Sequence, residues 1–187
     1  ISEALMAVYR LFWDEFSSWY LEMVKPAYQQ PIDKATYEQT LEFFEVLLKL
    51  LHPFMPFITE ELFQALKPRG EKESVMVSLQ PKVEEYCEKC IQRMEVTKEI
   101  IAGVRNIRAE KGISPREAFE LHFKGDLDEK NNAIIQKLAN ISAISQSDNA
   151  EQGASSSFMV GTVEISIPLG SNVNVEEEKK KMEAEIA

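Results

Sequence analysis

The sequence predicts a mainly α fold: a helical bundle, then a small α+β appendage, then the start of a coiled-coil helix. Three observations predict it. Apolar residues recur every three or four positions through most of the first 112 residues. The period then shortens to alternation at Phe119, Leu121 and Phe123, and again at Val163, Ile165 and Ile167. Finally, a dense run of charges from Glu176 to Ala187 reads as a solvated helix that has only begun. The corresponding domains are a bundle over 1–112, an α+β subdomain over 113–170 and a coiled-coil arm over 171–187.

The first helix carries Leu5, Val8, Tyr9, Phe12, Phe16, Trp19, Tyr20 and Met23 on one face and ends before Pro26. Asp33 or Thr36 opens a second, with Leu41, Phe44, Leu47, Leu48 and Leu51 at helical spacing. Pro53 and Pro56 stop it near His52. Thr59 can then cap a third helix, with Glu60 and Glu61 in its first turn, where the helix dipole favours negative charge. Lys67-Pro68-Arg69-Gly70 closes that helix. A fourth, long helix from about Val83 presents Ile91, Met94, Ile100, Ile101, Val104 and Ile107 on one stripe and ends at Gly112.

Beyond Gly112, Ser114-Pro115-Arg116-Glu117 competes as a helix start because it mimics a capping box, but the alternation that follows favours a strand. Residues 127–138 have helical character, and Ala150–Ser157 reads as a small-residue loop.

With 187 residues and 44% hydrophobic content, the chain can bury a sizeable core. It has no apolar run near the length of a membrane span and no basic n-region at Ile1–Ala7, so no membrane partner is expected and the default compartment is the cytoplasm. It begins at Ile1 and ends inside an unfinished charged pattern, which suggests a piece of a longer protein.

The formal net charge of −10 argues against a generic nucleic-acid-binding module, because Lys and Arg supply most sequence-independent affinity for phosphate. The charge is uneven. Acid dominates from Asp126 onward, whereas Lys98, Arg105, Arg108, Lys111 and Arg116 form a basic cluster. An acidic bulk with one basic strip fits either an ordinary solvated surface or a protein that docks one polyanion in one orientation.

Cys87-Glu88-Lys89-Cys90 is the one metal-like spacing, but a zinc site needs four ligands and there is no second cysteine pair; reduced thiols on a helix are expected. No phosphate loop, catalytic triad or zincin helix is present, so no catalytic residue is assigned.

The segment Leu51-His52-Pro53-Phe54-Met55-Pro56-Phe57-Ile58-Thr59-Glu60-Glu61-Leu62-Phe63 resembles the helix corner in the anticodon-binding domain of the class I valyl-, isoleucyl- and leucyl-tRNA synthetases. Phe12-Trp13-Asp14-Glu15-Phe16-Ser17-Ser18-Trp19-Tyr20-Leu21-Glu22-Met23-Val24-Lys25 is similar to the valyl pattern, although Ser17-Ser18 stands where relatives commonly carry Cys-Asp, so no role is carried over for that pair. Val104-Arg105-Asn106-Ile107-Arg108-Ala109-Glu110 with Ile113-Ser114-Pro115 resembles the last bundle helix of valyl enzymes. Val163–Leu169, followed by Val175 and charges, resembles the strand that leads into their coiled coil.

The resemblance implies a tRNA-binding region that positions the anticodon stem-loop for a catalytic domain upstream. Editing domains would lie in the same chain, and ATP and magnesium would serve the full-length ligase, with no cofactor in this segment. Neither of the two short class I catalytic signatures is present.

At about 100° per residue, Lys98 and Arg105 fall on one line at the border of the apolar stripe, and Arg108 and Lys111 lean toward the stripe. Guanidinium groups at such a border can reach phosphates or stack on an unpaired base. For Arg108 the structural alternative, pairing with a carboxylate such as Glu60 or Glu61, is preferred. Trp19 can stack on a base or pack in the core, and Lys25 can meet phosphate or the last helical carbonyls. The RNA-contact candidates are therefore Lys98, Arg105, Arg108, Lys111, Lys25 and Trp19. The rival from another class is a helical protein-interaction module, recognisable by an exposed apolar patch of several hundred square ångströms. The isoleucyl or leucyl equivalent is the other alternative.

Overall fold

The computed structural model describes residues 1–83, 85–147 and 155–168. It divides into two compact units, Ile1–Glu85 and Tyr86–Ala187. The long fourth helix, assigned to the bundle from sequence, thus falls in the second unit. The expected coiled-coil arm lies outside the described residues.

The first unit is helical. The amphipathic stretch at its start is one continuous helix in three parts: α1 (Ser2–Arg10), a π-helical segment (Leu11–Tyr20) and α2 (Leu21–Val24). Its aromatic face turns toward α3 (Lys34–Leu51): the Phe16 and Phe44 rings stack at 6.0 Å, Tyr20 meets Phe43 edge-on at 5.2 Å, and the Tyr20 hydroxyl bonds Thr40 Oγ1 at 3.2 Å. Asp33, one of the two anticipated starts, caps α3 by accepting from the Thr36 N–H at 2.9 Å.

The proline corner forms, with one change. Helix α4 (Pro56–Leu66) begins at Pro56 rather than Thr59, because proline suits the first helical position, where its missing N–H costs nothing. Thr59 therefore lies inside the helix and is no cap. Its buried hydroxyl donates to the Met55 carbonyl at 2.7 Å and meets His52 Nδ1 at 2.8 Å, tying the end of α3 to the first turn of α4. Leu48, Phe63 and Val75 form the buried centre, flanked by Phe44 and Leu66.

The connection after α4 is held by two carboxylates. Glu60 accepts from Ser74 Oγ at 2.8 Å and from the Val75 N–H at 2.9 Å, and this fixes a short 3₁₀ turn at Val75–Val77. Glu45 accepts from Lys67 and from Arg69, both at 2.7 Å. Arg69 also donates to the Phe63 carbonyl at 2.7 Å and lies 3.3 Å above the Phe63 ring centroid. Burial raises the Glu45 pKa, but the hydrogen bonds and charges of Lys67 and Arg69 outweigh it, so the carboxyl sits below its ordinary value.

The second unit packs helices on a mixed sheet. Helix α5 (Glu88–Lys111) ends at Gly112, whose left-handed conformation (φ 64°) makes it the expected C-cap. Strand β1 (Phe119–Lys124) follows, so the alternation at Phe119, Leu121 and Phe123 outcompetes the capping-box reading of Ser114–Glu117. A 3₁₀ turn (Glu129–Asn131) and α6 (Asn132–Ala139) occupy the anticipated helical stretch, and β2 (Ile141–Gln146) comes next. Strands β3 (Ser155–Val160) and β4 (Val163–Pro168) complete a sheet of order β2-β1-β4-β3. The β1–β2 pair is parallel, joined through α6, and the other pairs are antiparallel.

Three readings are corrected here. Strand β3 begins at Ser155, inside the stretch read as a loop; its serines at 155 and 157 face outward, and its apolar content is confined to the last three residues. Strand β2 was not anticipated. The start of α5 moves from Val83 to Glu88, and this changes the cysteines: Cys87 is the N-cap in an extended conformation (φ −88°, ψ 96°) rather than a helical residue. The Cys87 and Cys90 Cα atoms lie 5.2 Å apart, within the disulfide range, and their sulfurs are joined in a disulfide rather than held as reduced thiols.

The stripe Ile100, Ile101, Val104 and Ile107 of α5 is buried, as are Ile135 of α6 and Leu121, Phe123, Ile165 and Ile167 of the sheet, and α5 packs against α6 and β3. Gly103 permits the closest approach. A Cβ there would lie 2.6 Å from Cδ2 and Cζ of Phe158 on β3, so helix propensity is given up for contact.

Because the folded Glu45 pKa is depressed, its contribution is present above the unfolded value near 4.3 and is lost as pH falls through the folded value. Glu45→Gln should lower stability by about 1–3 kcal/mol at pH 7 and flatten the acid dependence below about pH 4.5. Urea unfolding of both proteins between about pH 3 and 7 checks this; parallel acid profiles would contradict it.

Candidate nucleic-acid interface

Four of the six RNA-contact candidates lie on α5. Arg108 is buried, with 6% of its surface exposed, and its role is visible in its partners. Nη1 donates to the carbonyls of Ser114 (2.8 Å) and Glu117 (2.7 Å), and Nη2 donates to those of Ala139 and Asn140 (both 3.1 Å). The guanidinium also stacks on Phe119 at 4.0 Å. Burial pulls its pKa down and the Glu117 carboxylate pushes it back up. The structural alternative therefore describes Arg108, but with main-chain carbonyls as partners; Glu60 instead holds Ser74 and Val75.

Arg105, nearly one turn earlier, is exposed, and its Nη2 donates to the Leu138 carbonyl at 3.2 Å, near the end of α6. That contact orients the guanidinium at the surface. Lys98, two turns before Arg105, is half-buried and bonds Glu95 at 2.9 Å. Lys111 is half-buried at the end of the helix. Arg105 is thus the most accessible of the four.

Lys25 and Trp19 belong to the first unit. Lys25, just after α2, is exposed and pairs with Glu22 at 3.3 Å. Trp19 is half-buried in the π-helical segment.

One surface went unread in the sequence. Tyr9 and Trp13, half-exposed and stacked with centroids 6.5 Å apart, border a groove of about 270 Å³ lined entirely by apolar surface, with Leu51, Met55, Ile58 and Leu62 on its other side. The signal was available: Tyr9 and Trp13 are one turn apart, and Met55 and Ile58 flank Pro56.

Among the described residues, no group of three or more His, Cys, Asp or Glu side chains is placed to hold a metal ion, and no helix is long and apolar enough to cross a membrane.

The family described as the anticodon-binding domain of tRNA ligase matches residues 1–123. This chain belongs to that family. Over its whole length it is also similar to valine–tRNA ligases: 56% identical over 186 residues to that of Parabacteroides distasonis, 57% over 188 residues to that of Phocaeicola vulgatus, and 36% over 197 residues to that of Geobacter sulfurreducens. The chain spans 21% of the length of the first two and 22% of the third. The matched 123 residues include the corner, α5 and the whole Arg108 carbonyl cluster on the β1 side.

Arg108→Ala should destabilise the fold by about 3 kcal/mol or more, since it strands carbonyls from two segments. Arg108→Lys should recover only part, because an ammonium cannot span four acceptors. Chemical denaturation measures both; unchanged stability with weakened tRNA binding would instead make Arg108 an RNA contact.

Proposed function

We propose that this chain is the anticodon stem-loop-binding region of a valine–tRNA ligase, and that it positions the tRNA for ATP-dependent aminoacylation by a catalytic domain elsewhere in the same polypeptide. The observation that carries this reading is similarity to valine–tRNA ligases along the whole chain, with family membership over residues 1–123. The contribution is geometric: RNA held on rigid helices presents its acceptor end in one place, which lowers the entropic barrier to reaction without any bond chemistry here.

In this reading Arg105 leads the RNA contacts, with Lys98, Lys111, Lys25 and Trp19 as further contacts, and Arg108 supports α5 from within. Arg105 fits best because it is exposed and its Nη2 donates to the Leu138 carbonyl at 3.2 Å, which orients its fork at the surface. ATP and magnesium belong to the catalytic domain, editing occurs in a further domain, residues 171–187 begin a coiled-coil arm, and the enzyme works in the cytoplasm. The acidic bulk rejects other polyanions.

The apolar groove between Tyr9 and Leu62 favours a second, compatible reading. It receives an apolar segment from the remainder of the ligase, of which this chain is about one-fifth by the length of its relatives.

In the full-length enzyme, Arg105→Ala with Lys98→Ala should lower kcat/KM for tRNA charging about tenfold or more, the cost of one or two charged contacts. Valine-dependent pyrophosphate exchange should stay within about twofold. A parallel fall in both activities would overturn the RNA role of these residues.

A further inference from the structure

Cys87 and Cys90 lie at the start of α5, in a disulfide, with both residues exposed. Neighbouring Tyr86 and Ile91 are also exposed, at 74% and 50%, so among the described residues the pair sits on an accessible stretch of chain. Cys87 is the N-cap, and its Sγ accepts the Cys90 N–H at 3.2 Å. Behind it runs a helix of 24 residues, whose N-terminal dipole favours a thiolate at that position. Cys90 is inside the first turn, and the 5.2 Å between Cα atoms lets either sulfur reach the other without a change of fold.

We propose that Cys87–Cys90 is a reversible thiol–disulfide exchange site served by dithiol reductants, with Cys87 as the exchanging sulfur and Cys90 as the resolving one. In the reducing direction, a thiolate of the external dithiol attacks Cys87 Sγ, and the S–S bond breaks with its electron pair leaving on Cys90, which takes up a proton. The reductant's second thiolate then attacks its own sulfur in the mixed disulfide and expels Cys87 as a thiolate, stabilised by the Cys90 N–H. Two electrons and one proton pass to the chain, with Cys90 as the thiol and Cys87 as the thiolate, the other dithiol proton goes to solvent, and the reductant leaves as its disulfide. In the reverse direction, an adduct on Cys87 is expelled by Cys90, so monothiol adducts do not persist. Disulfides in thiol-reducing compartments are mostly transient and redox-sensing, which fits an exposed pair outside the core.

The test is mass mapping of residues 83–93 in the full chain. After reduction with dithiothreitol and removal of the reagent, oxidised glutathione should return the native chain to the intramolecular disulfide with no lasting glutathione adduct. Cys90→Ser should trap a glutathione adduct on Cys87 in most molecules, and in the two single variants Cys87 should be alkylated by iodoacetamide about tenfold faster than Cys90. Stable glutathionylation of the native chain, or faster alkylation at Cys90, overturns the proposal. Because the assay reads sulfur chemistry, it is independent of tRNA charging.

Discussion

The second unit depends on one buried cation. Arg108 reaches out of the last turn of α5 and gathers four carbonyls, two from the segment entering β1 and two from the turn between α6 and β2. These two segments begin the parallel pair at one edge of the β2-β1-β4-β3 sheet, so one guanidinium fixes where both strands start. A cation is suited to this because terminal carbonyls of helices and turns otherwise lack donors, and a planar five-donor group can serve several carbonyls of two segments at once. Arg105 gains from the same construction: its carbonyl partner, Leu138, directly precedes an Arg108 partner, Ala139.

The first unit solves an equivalent problem with carboxylates and a hydroxyl. Helices meeting at a proline corner leave polar groups near the core, and Thr59, Glu60 and Glu45 satisfy them at 2.7–2.9 Å. Much of the charge that sequence reading treats as solvated surface is therefore structural, which narrows the groups available to RNA. On α5, Arg108, which leans into the apolar stripe, does folding work, while Arg105 at its border stays accessible.

The helices were legible because their period is written in large apolar residues and their ends in proline, glycine and Asp33. Strands β1 and β4 were legible for the same reason at period two. Strand β2, Ile-Ser-Ala-Ile-Ser-Gln, and β3, with three leading serines, carry too few large residues to announce themselves; their identity comes from pairing with β1 and β4. The role of Arg108 was half-legible. Its position on the stripe indicated a structural function, but its acceptors are backbone atoms up to 32 residues away, and backbone atoms leave no mark in a sequence. The disulfide was hidden by a five-residue error in a helix start, which placed Cys87 inside a helix instead of at its cap. The Tyr9–Trp13 groove was missed because periodicity identifies a face without saying what covers it.

The proposed role is to place an RNA for charging, with the bond chemistry of charging carried out elsewhere in the ligase. The most direct measurement compares the full-length enzyme with one lacking these 187 residues, assaying valine-dependent pyrophosphate exchange and tRNA charging side by side. The account predicts that exchange persists while charging is lost. Charging retained at the level of the intact enzyme would contradict it.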